Sequence, residues 1–284
     1  MKIISTFSIA AFDPAAKEWG IAVQSKFLAA GAMVPYVKAG AGAIATQASA
    51  NLDYGSLGLE LMAKGYSAEK TLQALLATDD EREQRQVGIV DAQGRAAAFT
   101  GSQCHAWAGH ITGEGFCCQG NILVSGDTVR AMVDAFAQST GPLARRLVLS
   151  LDAGQNAGGD RRGRQAAGLK VVKAGAGYGG FNDILVDLRV DDHPQPIREL
   201  GRLMDLHDLY FGETKERVPV TGETAVRVQE KLKALGYYKG DISGVYDEST
   251  RRAYADWCGV ENYEMRICEG DFADKMILDI LLGD

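Results

Sequence analysis

Ser5-Thr6-Phe7-Ser8-Ile9-Ala10-Ala11-Phe12, then Asp13-Pro14, then Trp19-Gly20-Ile21-Ala22-Val23 is the stretch that sets the architecture. Two apolar, β-compatible runs flank a turn starter, so the segment reads as a β-hairpin. The run from Met1 to Phe12 also has the length of a short export signal. Asp13 ends it without a small-x-small cleavage site, and it reads better as a first strand.

Outward from the hairpin, Gly40 and Gly42 separate two more strands, near 32–38 and 40–47. Helical spacing follows. Leu57, Leu59, Leu61 and Met62 lie between Tyr54 and Lys64. Leu72, Leu75 and Leu76 then share one face behind an N-cap at Ser67. Val87–Val90 and Ala96–Phe99 read as another hairpin, with a strand near 116–123. Asp127 is expected to cap a helix through Phe136. Pro142 opens the next, with Leu143, Leu147 and Leu151 on one face. Strands near 168–173 and 184–190 precede a long helix from Pro196 to about Phe211. Strands thus arrive in hairpin-linked blocks divided by helix pairs. That order predicts an α+β protein with mostly antiparallel sheets and helical layers, not a doubly wound parallel sheet. Gly175-Ala176-Gly177-Tyr178-Gly179-Gly180 has no helical spacing after it and reads as a turn, not a nucleotide loop.

The 284 residues carry a net charge of −7, which argues against a nucleic-acid partner. No apolar run approaches the ~20 residues of a membrane span. Five cysteines without a Cys-x-x-Cys pair suggest neither a disulfide framework nor a zinc site, and a reducing cytoplasm is the expected compartment, with the periplasm as the alternative. No cofactor and no metal are expected. Asp191-Asp192-His193 has ligand types, but neighbours on a strand point to opposite faces.

A second pattern begins after a polar stretch, residues 213–223, that reads as a linker between a domain at 1–212 and one at 224–284. Gln229, Leu232, Leu235-Gly236-Tyr237, Gly240, Gly244, Tyr246 and Thr250 describe an amphipathic helix ended by Gly236, a glycine turn, and a second helix capped by Ser249 or Thr250. A third helix holds Met276, Ile277, Ile280 and Leu281. The series resembles the peptidoglycan-binding module family. That implies a small three-helix module, with a peptidoglycan fragment as partner or, alternatively, a docking or oligomer-forming role. A homodimer or higher homo-oligomer is expected.

The first domain carries another resemblance. Thr6-Phe7-Ser8-Ile9-Ala10, Ala22-Val23-Gln24-Ser25-Lys26-Phe27, Gly42-Ala43-Ile44-Ala45-Thr46-Gln47-Ala48, Trp107-Ala108-Gly109-His110 with Gln119-Gly120-Asn121, and Gly158-Gly159-Asp160-Arg161-Arg162-Gly163-Arg164-Gln165 together resemble an uncharacterised bacterial family, the domain of unknown function ten-twenty-eight. The resemblance implies an Ntn-hydrolase-like, four-layer αββα sandwich. It also implies an amidohydrolase of the N-terminal-nucleophile type, acting on a small or peptide-like amide. The alternative is a non-catalytic binding or scaffold protein that uses the same cleft.

In such hydrolases a Thr, Ser or Cys is the first residue of the mature chain, and its own α-amine is the general base. Family chains often start Met-Thr-Phe-Ser, so Thr6 takes the nucleophile position. Met1 to Ser5 precede it here, and only a cut after Ser5 frees the amine. Ser8 shares a sheet face with Thr6. Val23-Gln24-Ser25-Lys26 is similar to the Val-Asp-Ser-Arg stretch of proteasome-type subunits, which gives Lys26 a catalytic charge and puts Gln24 in the acid's place. Gln47, Ser49 and Asn51, where strand gives way to helix, are candidate oxyanion donors, Asn51 as a catalytic group; Asn121 is another donor. Asp160, Arg161 and Arg164 could clamp a carboxylate. His110 reads as pocket-lining or as a structural histidine.

Overall fold

The structure, a computed structural model, describes residues 6–283. The leader reading of residues 1–5 and the cut after Ser5 lie outside the described residues. The chain divides into two compact units between Met204 and Asp205.

The first unit opens with β1 (Thr6–Asp13) and β2 (Glu18–Ser25), the expected hairpin, in register from Thr6 opposite Ser25 to Asp13 opposite Glu18. Next come β3 (Pro35–Lys38), β4 (Gly42–Ala48), α1 (Asp53–Ala63), α2 (Ala68–Ala77), β5 (Arg85–Asp91) and β6 (Ala96–Thr100). Then follow β7 (Gly109–Gly113), β8 (Phe116–Gly120), α3 (Asp127–Gln138), α4 (Leu143–Asn156), β9 (Ala166–Val172), β10 (Ile184–Val190) and α5 (Pro196–Phe211), which runs on past the boundary after Met204. Two antiparallel sheets result. One has the order β10-β9-β2-β1-β8-β7, the other β3-β4-β5-β6. Within the first unit, β7 is the strand the sequence reading lacks. Gly109-His110-Ile111-Thr112-Gly113 alternates exposure without an apolar run, as an edge strand does.

Strand alternation sorts the side chains into layers. Phe7, Ile9, Ala22, Leu169 and Val171 face the outer helices, where Leu143, Leu147 and Leu151 of α4 meet Val129, Met132 and Phe136 of α3. Ala10, Ile21, Val23, Ala43, Ala45 and Val90 meet between the sheets. Ile44, Val87 and Ile89 face Tyr54 and Met62 of α1 and Leu72 and Leu75 of α2. The layers are therefore helix, sheet, sheet, helix. Two caps differ in detail. Ser67 does accept the Lys70 N–H, at 3.2 Å, but Asp127 lies inside the first turn of α3, with Gly126 at the cap.

The second unit contains β11 (Arg217–Pro219), α6 (Glu223–Ala234), α7 (Glu248–Val260), β12 (Phe272–Asp274) and α8 (Lys275–Leu282). The polar stretch 213–223 carries β11, paired with β12, and the buried Val220. Polarity alone does not separate a linker from a short two-stranded ribbon. Gly236 is left-handed at φ 86° just past α6, as expected. Asp247, not Ser249 or Thr250, caps α7 by accepting the Thr250 N–H at 2.9 Å. Gln229 of α6 is fully buried. Its amide donates to the Val245 carbonyl (2.9 Å) and Thr250 Oγ1 (3.0 Å), and accepts the N–H groups of Ser243 (2.9 Å) and Gly244 (3.0 Å). The glutamine of the module pattern thus fastens the glycine turn to two helices. The cysteines are all free thiols. No helix among the described residues is long and apolar enough to cross a membrane.

Candidate active site

The inter-sheet layer changes character along its length. Beyond the apolar seam, the same alternation presents Thr6 and Ser8 of β1, Ser25 of β2, Gln47 of β4, Gln86 of β5 and Gln119 of β8. All are fully buried. Asn121, one residue past β8, joins them, also fully buried.

Gln86 is the hub. Its Nε2 donates to the Gly120 carbonyl (2.8 Å), Thr100 Oγ1 (2.9 Å) and the Gly109 carbonyl (3.2 Å). Its Oε1 accepts from Gln47 Nε2 (2.8 Å) and Asn121 Nδ2 (2.9 Å). Ser8 is a second node. It donates to Gln47 Oε1 and accepts from Gln119 Nε2, both at 2.7 Å. Thr6 is held at both ends. Its Oγ1 donates to Ser25 Oγ at 3.3 Å, and its carbonyl accepts the Asn121 N–H (3.0 Å) and Gln47 Nε2 (3.3 Å). Every side chain in this set is neutral.

Backbone geometry makes room for it. A Cβ on Gly88 would lie 2.1 Å from Gln119 Oε1, so Gln119 crosses β5 only where that strand lacks a side chain. The residues after two of the amides are left-handed, Ala48 at φ 67° and Ile122 at φ 51°. For β-branched Ile122 this conformation is costly, about 1–2 kcal/mol. The bend sends the Ile122 N–H to the His105 carbonyl at 2.9 Å while the Asn121 N–H stays on Thr6. Strain of this kind gathers at functional sites.

On the opposite face of β5, Arg85 anchors a second cluster. It donates to Asp79 (2.9 Å), Glu81 (2.7 Å), and the Ser49 carbonyl and hydroxyl (2.7 and 3.1 Å). Asp79 also accepts from Tyr54 (2.9 Å) and Asn51 (3.2 Å). The Arg85 guanidinium holds the Asp79 carboxyl well below the usual carboxylate range. Burial, helped by Asp79, pushes the Tyr54 phenol up. Arg85 is itself raised, chiefly by its hydrogen bond to Asp79.

Of the residues the sequence singled out, Thr6, Ser8, Gln47 and Asn121 come together. Ser49 and Asn51 belong to the Arg85–Asp79 cluster instead. Ser25, not Gln24 or Lys26, faces Thr6. The even positions of β2 turn toward α4, and the ammonium of Lys26 donates to the Arg164 carbonyl at 3.3 Å. His110 meets Thr100 Oγ1 through Nδ1 at 2.9 Å, one bond out from Gln86, with its ring exposed. The expected Asp160, Arg161 and Arg164 clamp is not assembled. Asp160 accepts the Lys26 N–H (3.0 Å) and pairs with Arg162 (2.9 Å), while Arg161 donates to the Ala106 carbonyl (3.0 Å). Among the described residues no three His, Cys, Asp or Glu side chains are grouped to hold a metal ion. Gln86, Gln119, Ser25 and the Arg85–Asp79 pair escape the sequence reading. A signal for the glutamines existed. Gln24, Gln47, Gln86 and Gln119 each stand at or near the end of a strand whose other residues are buried.

A family model described as "Family of unknown function (DUF1028)" matches residues 6–200. A second, described as "Putative peptidoglycan binding domain", matches residues 210–281. Among solved structures, the crystal structure of protein SPO2555 from Silicibacter pomeroyi, titled as a DUF1028 protein, is 30% identical with a TM-score of 0.66. The match covers 78% of this chain and 89% of that one. Comparison with curated proteins finds no match.

Proposed function

The chain belongs to the DUF1028 family, and from its inter-sheet site we propose that it is an N-terminal-nucleophile hydrolase of a small or peptide-like amide. The observation that carries this reading is the setting of Thr6. It is the first residue of β1, fully buried among amides, with its hydroxyl on Ser25 and its carbonyl fixed by two N–H donors.

The chemistry needs the Thr6 nitrogen as an amine, because an amide nitrogen is no base. Once the bond after Ser5 is cut, that amine takes the hydroxyl proton as Oγ1 attacks the substrate carbonyl. Ser25 Oγ lies within reach to relay it. The C–N bond of the substrate breaks, the leaving amine takes the proton, and water then hydrolyses the threonyl ester. Gln119, whose Nε2 spends one N–H on Ser8, has a second to offer the oxyanion, and Gln47 holds the Thr6 carbonyl in place. A lining without charge favours a neutral amide, since a buried ion here would lack a counter-charge. Turnover of a panel of small amides by the processed protein tests the reading. Thr6→Ala is expected to lower it by about 10³-fold or more, and unchanged turnover would reject Thr6 as nucleophile.

The non-catalytic reading draws on a specific observation too: Thr6 has no solvent exposure, and the Lys26 ammonium is engaged elsewhere. In that case the amide cluster holds the sheets together and no substrate is turned over. For the second unit we propose association with peptidoglycan fragments, supported by its family match. Retention of the full chain on purified sacculi at low salt tests it, and a chain that stays in solution would leave the module a docking or oligomer-forming piece.

A further inference from the structure

A groove of about 350 Å³ lies on the outer side of the six-stranded sheet, between the C-terminal half of α4 and the start of α5. That is the small end of ligand-site volumes, roughly 300–1,000 Å³. Val148, Leu149, Pro196 and Ile197 give it apolar wall, and Gln155, Arg164 and Arg198 give it polar groups.

Gln155 is out of pattern. The buried face of α4 runs Leu143, Leu147, Leu151, and the next step of four brings an amide. Its Oε1 is buried without a hydrogen-bond partner. The sheet below repeats the anomaly. Gly20, Ala22 and Gln24 of β2 face α4: a Cβ on Gly20 would lie 2.6 Å from the Leu147 side chain, and Ala22 belongs to the α4-side core. Gln24 is fully buried, and both of its amide atoms lack a partner. The Lys26 N–H on Asp160, at 3.0 Å, ties the end of β2 to the turn after α4. Gln24 and Gln155 therefore stand at the same end of this layer. A buried amide atom without a partner is costly, and of these only Gln155 Oε1 belongs to a residue that lines the groove, where an occupant could satisfy it.

The charges around the groove indicate its sign. Arg164 uses its carbonyl for Lys26, and its guanidinium has no hydrogen bond or ion pair among the described residues. Arg198 touches Gln195 Oε1 at 3.5 Å. Asp152, a carboxylate in the same lining, accepts from Asn156 at 3.1 Å. Among the described residues neither guanidinium is ion-paired with it or with any other carboxylate, so the lining carries two cations to one anion.

We propose that this groove binds the carboxyl end of a short peptide with an apolar last residue, N-acetyl-leucine being its smallest version. The carboxylate sits against Arg164 and Arg198, the apolar side chain on Val148, Leu149 and Ile197, and the amide N–H donates to Gln155 Oε1. The site is independent of the Thr6 reading, because the six-stranded sheet lies between them.

Calorimetric titration of the full chain tests this with two probes, N-acetyl-leucine and its uncharged analogue N-acetyl-leucinamide. Saturable one-site binding of the acid is expected, about tenfold or more weaker for the amide and for Arg164→Ala, the loss of one charge-assisted contact. Gln155→Met, which keeps the shape and removes the acceptor, weakens it as well, and Thr6→Ala does not. Equal affinity for acid and amide, unchanged binding by Arg164→Ala, or no saturable binding at millimolar probe overturns the proposal. So does binding lost in Thr6→Ala but kept in Arg164→Ala, which places the probe between the sheets.

Discussion

Gln86 and Gly88 set the geometry around Thr6 from two positions on one strand. Gln86→Leu removes the Gln86 contact from the Gln47 and Asn121 amides and from the Gly120 carbonyl. A destabilisation of about 3 kcal/mol or more is expected in urea melts, because several buried hydrogen bonds are lost at once while little volume changes. A loss under about 0.5 kcal/mol, the size of an ordinary surface change, would mean the hub is not formed. Gly88→Ala acts differently: its methyl meets Gln119 Oε1, so Gln119 must leave Ser8. Part of this was legible in the sequence. Thr6 and Ser8 share a face by the period of a strand, and Gln47 stood out where strand meets helix. The rest was not, because a glutamine becomes a partner only when another strand, distant in sequence, brings its acceptor. Gln86 and Gln119 are 33 positions apart and meet through Gln47 and Ser8.

Strand β5 carries two opposed chemistries, neutral amides on its inner face and the Arg85–Asp79 pair on its outer one. The pair closes the β4–α1 connection by gripping Ser49, Asn51 and Tyr54. Asp79 has a depressed folded pKa, so its contribution is complete above the unfolded carboxylate pKa of about 3.9 and is lost as pH falls toward the folded value. The stability gap between wild type and Asp79→Asn is therefore expected to be constant from neutral pH to about 5 and to shrink in stronger acid. A gap that grows on acidification would reverse the sign. Arg85→Met, which leaves Asp79 buried and unpaired, is expected to cost about 3–5 kcal/mol. Sequence periodicity found β4, α1 and β5, while the resemblance offered Ser49 and Asn51 as candidate oxyanion donors, Asn51 as a catalytic group; in the structure both meet the Arg85–Asp79 pair. The missing information was Arg85, a charged residue at the head of a buried strand. In β2 strand alternation groups Gln24 with Lys26 and sets Ser25 opposite. Which face met Thr6 required the partner strand: with Thr6 opposite Ser25, both side chains fall between the sheets.

At the scale of the whole molecule, hairpin-linked strand blocks and paired helices were enough to foresee antiparallel sheets with outer helical layers. The glycine pattern was enough to foresee the C-terminal module. Gln229 shows why such a pattern reports shape: it closes the module's turn from inside. Gln229→Leu is expected to lower the thermal stability of the second unit, read by the near-ultraviolet signal of Trp257, while the first unit's transition stays in place. A single shared transition that moves with it would contradict two compact units. The central claim concerns the bond before Thr6. Intact mass and N-terminal sequencing of purified wild type and Thr6→Ala test it most directly. The account predicts wild-type chains that begin Thr6-Phe7-Ser8 and Thr6→Ala chains that keep residues 1–5. Wild-type protein that retains those residues, with its Thr6 nitrogen still in peptide linkage, would contradict it.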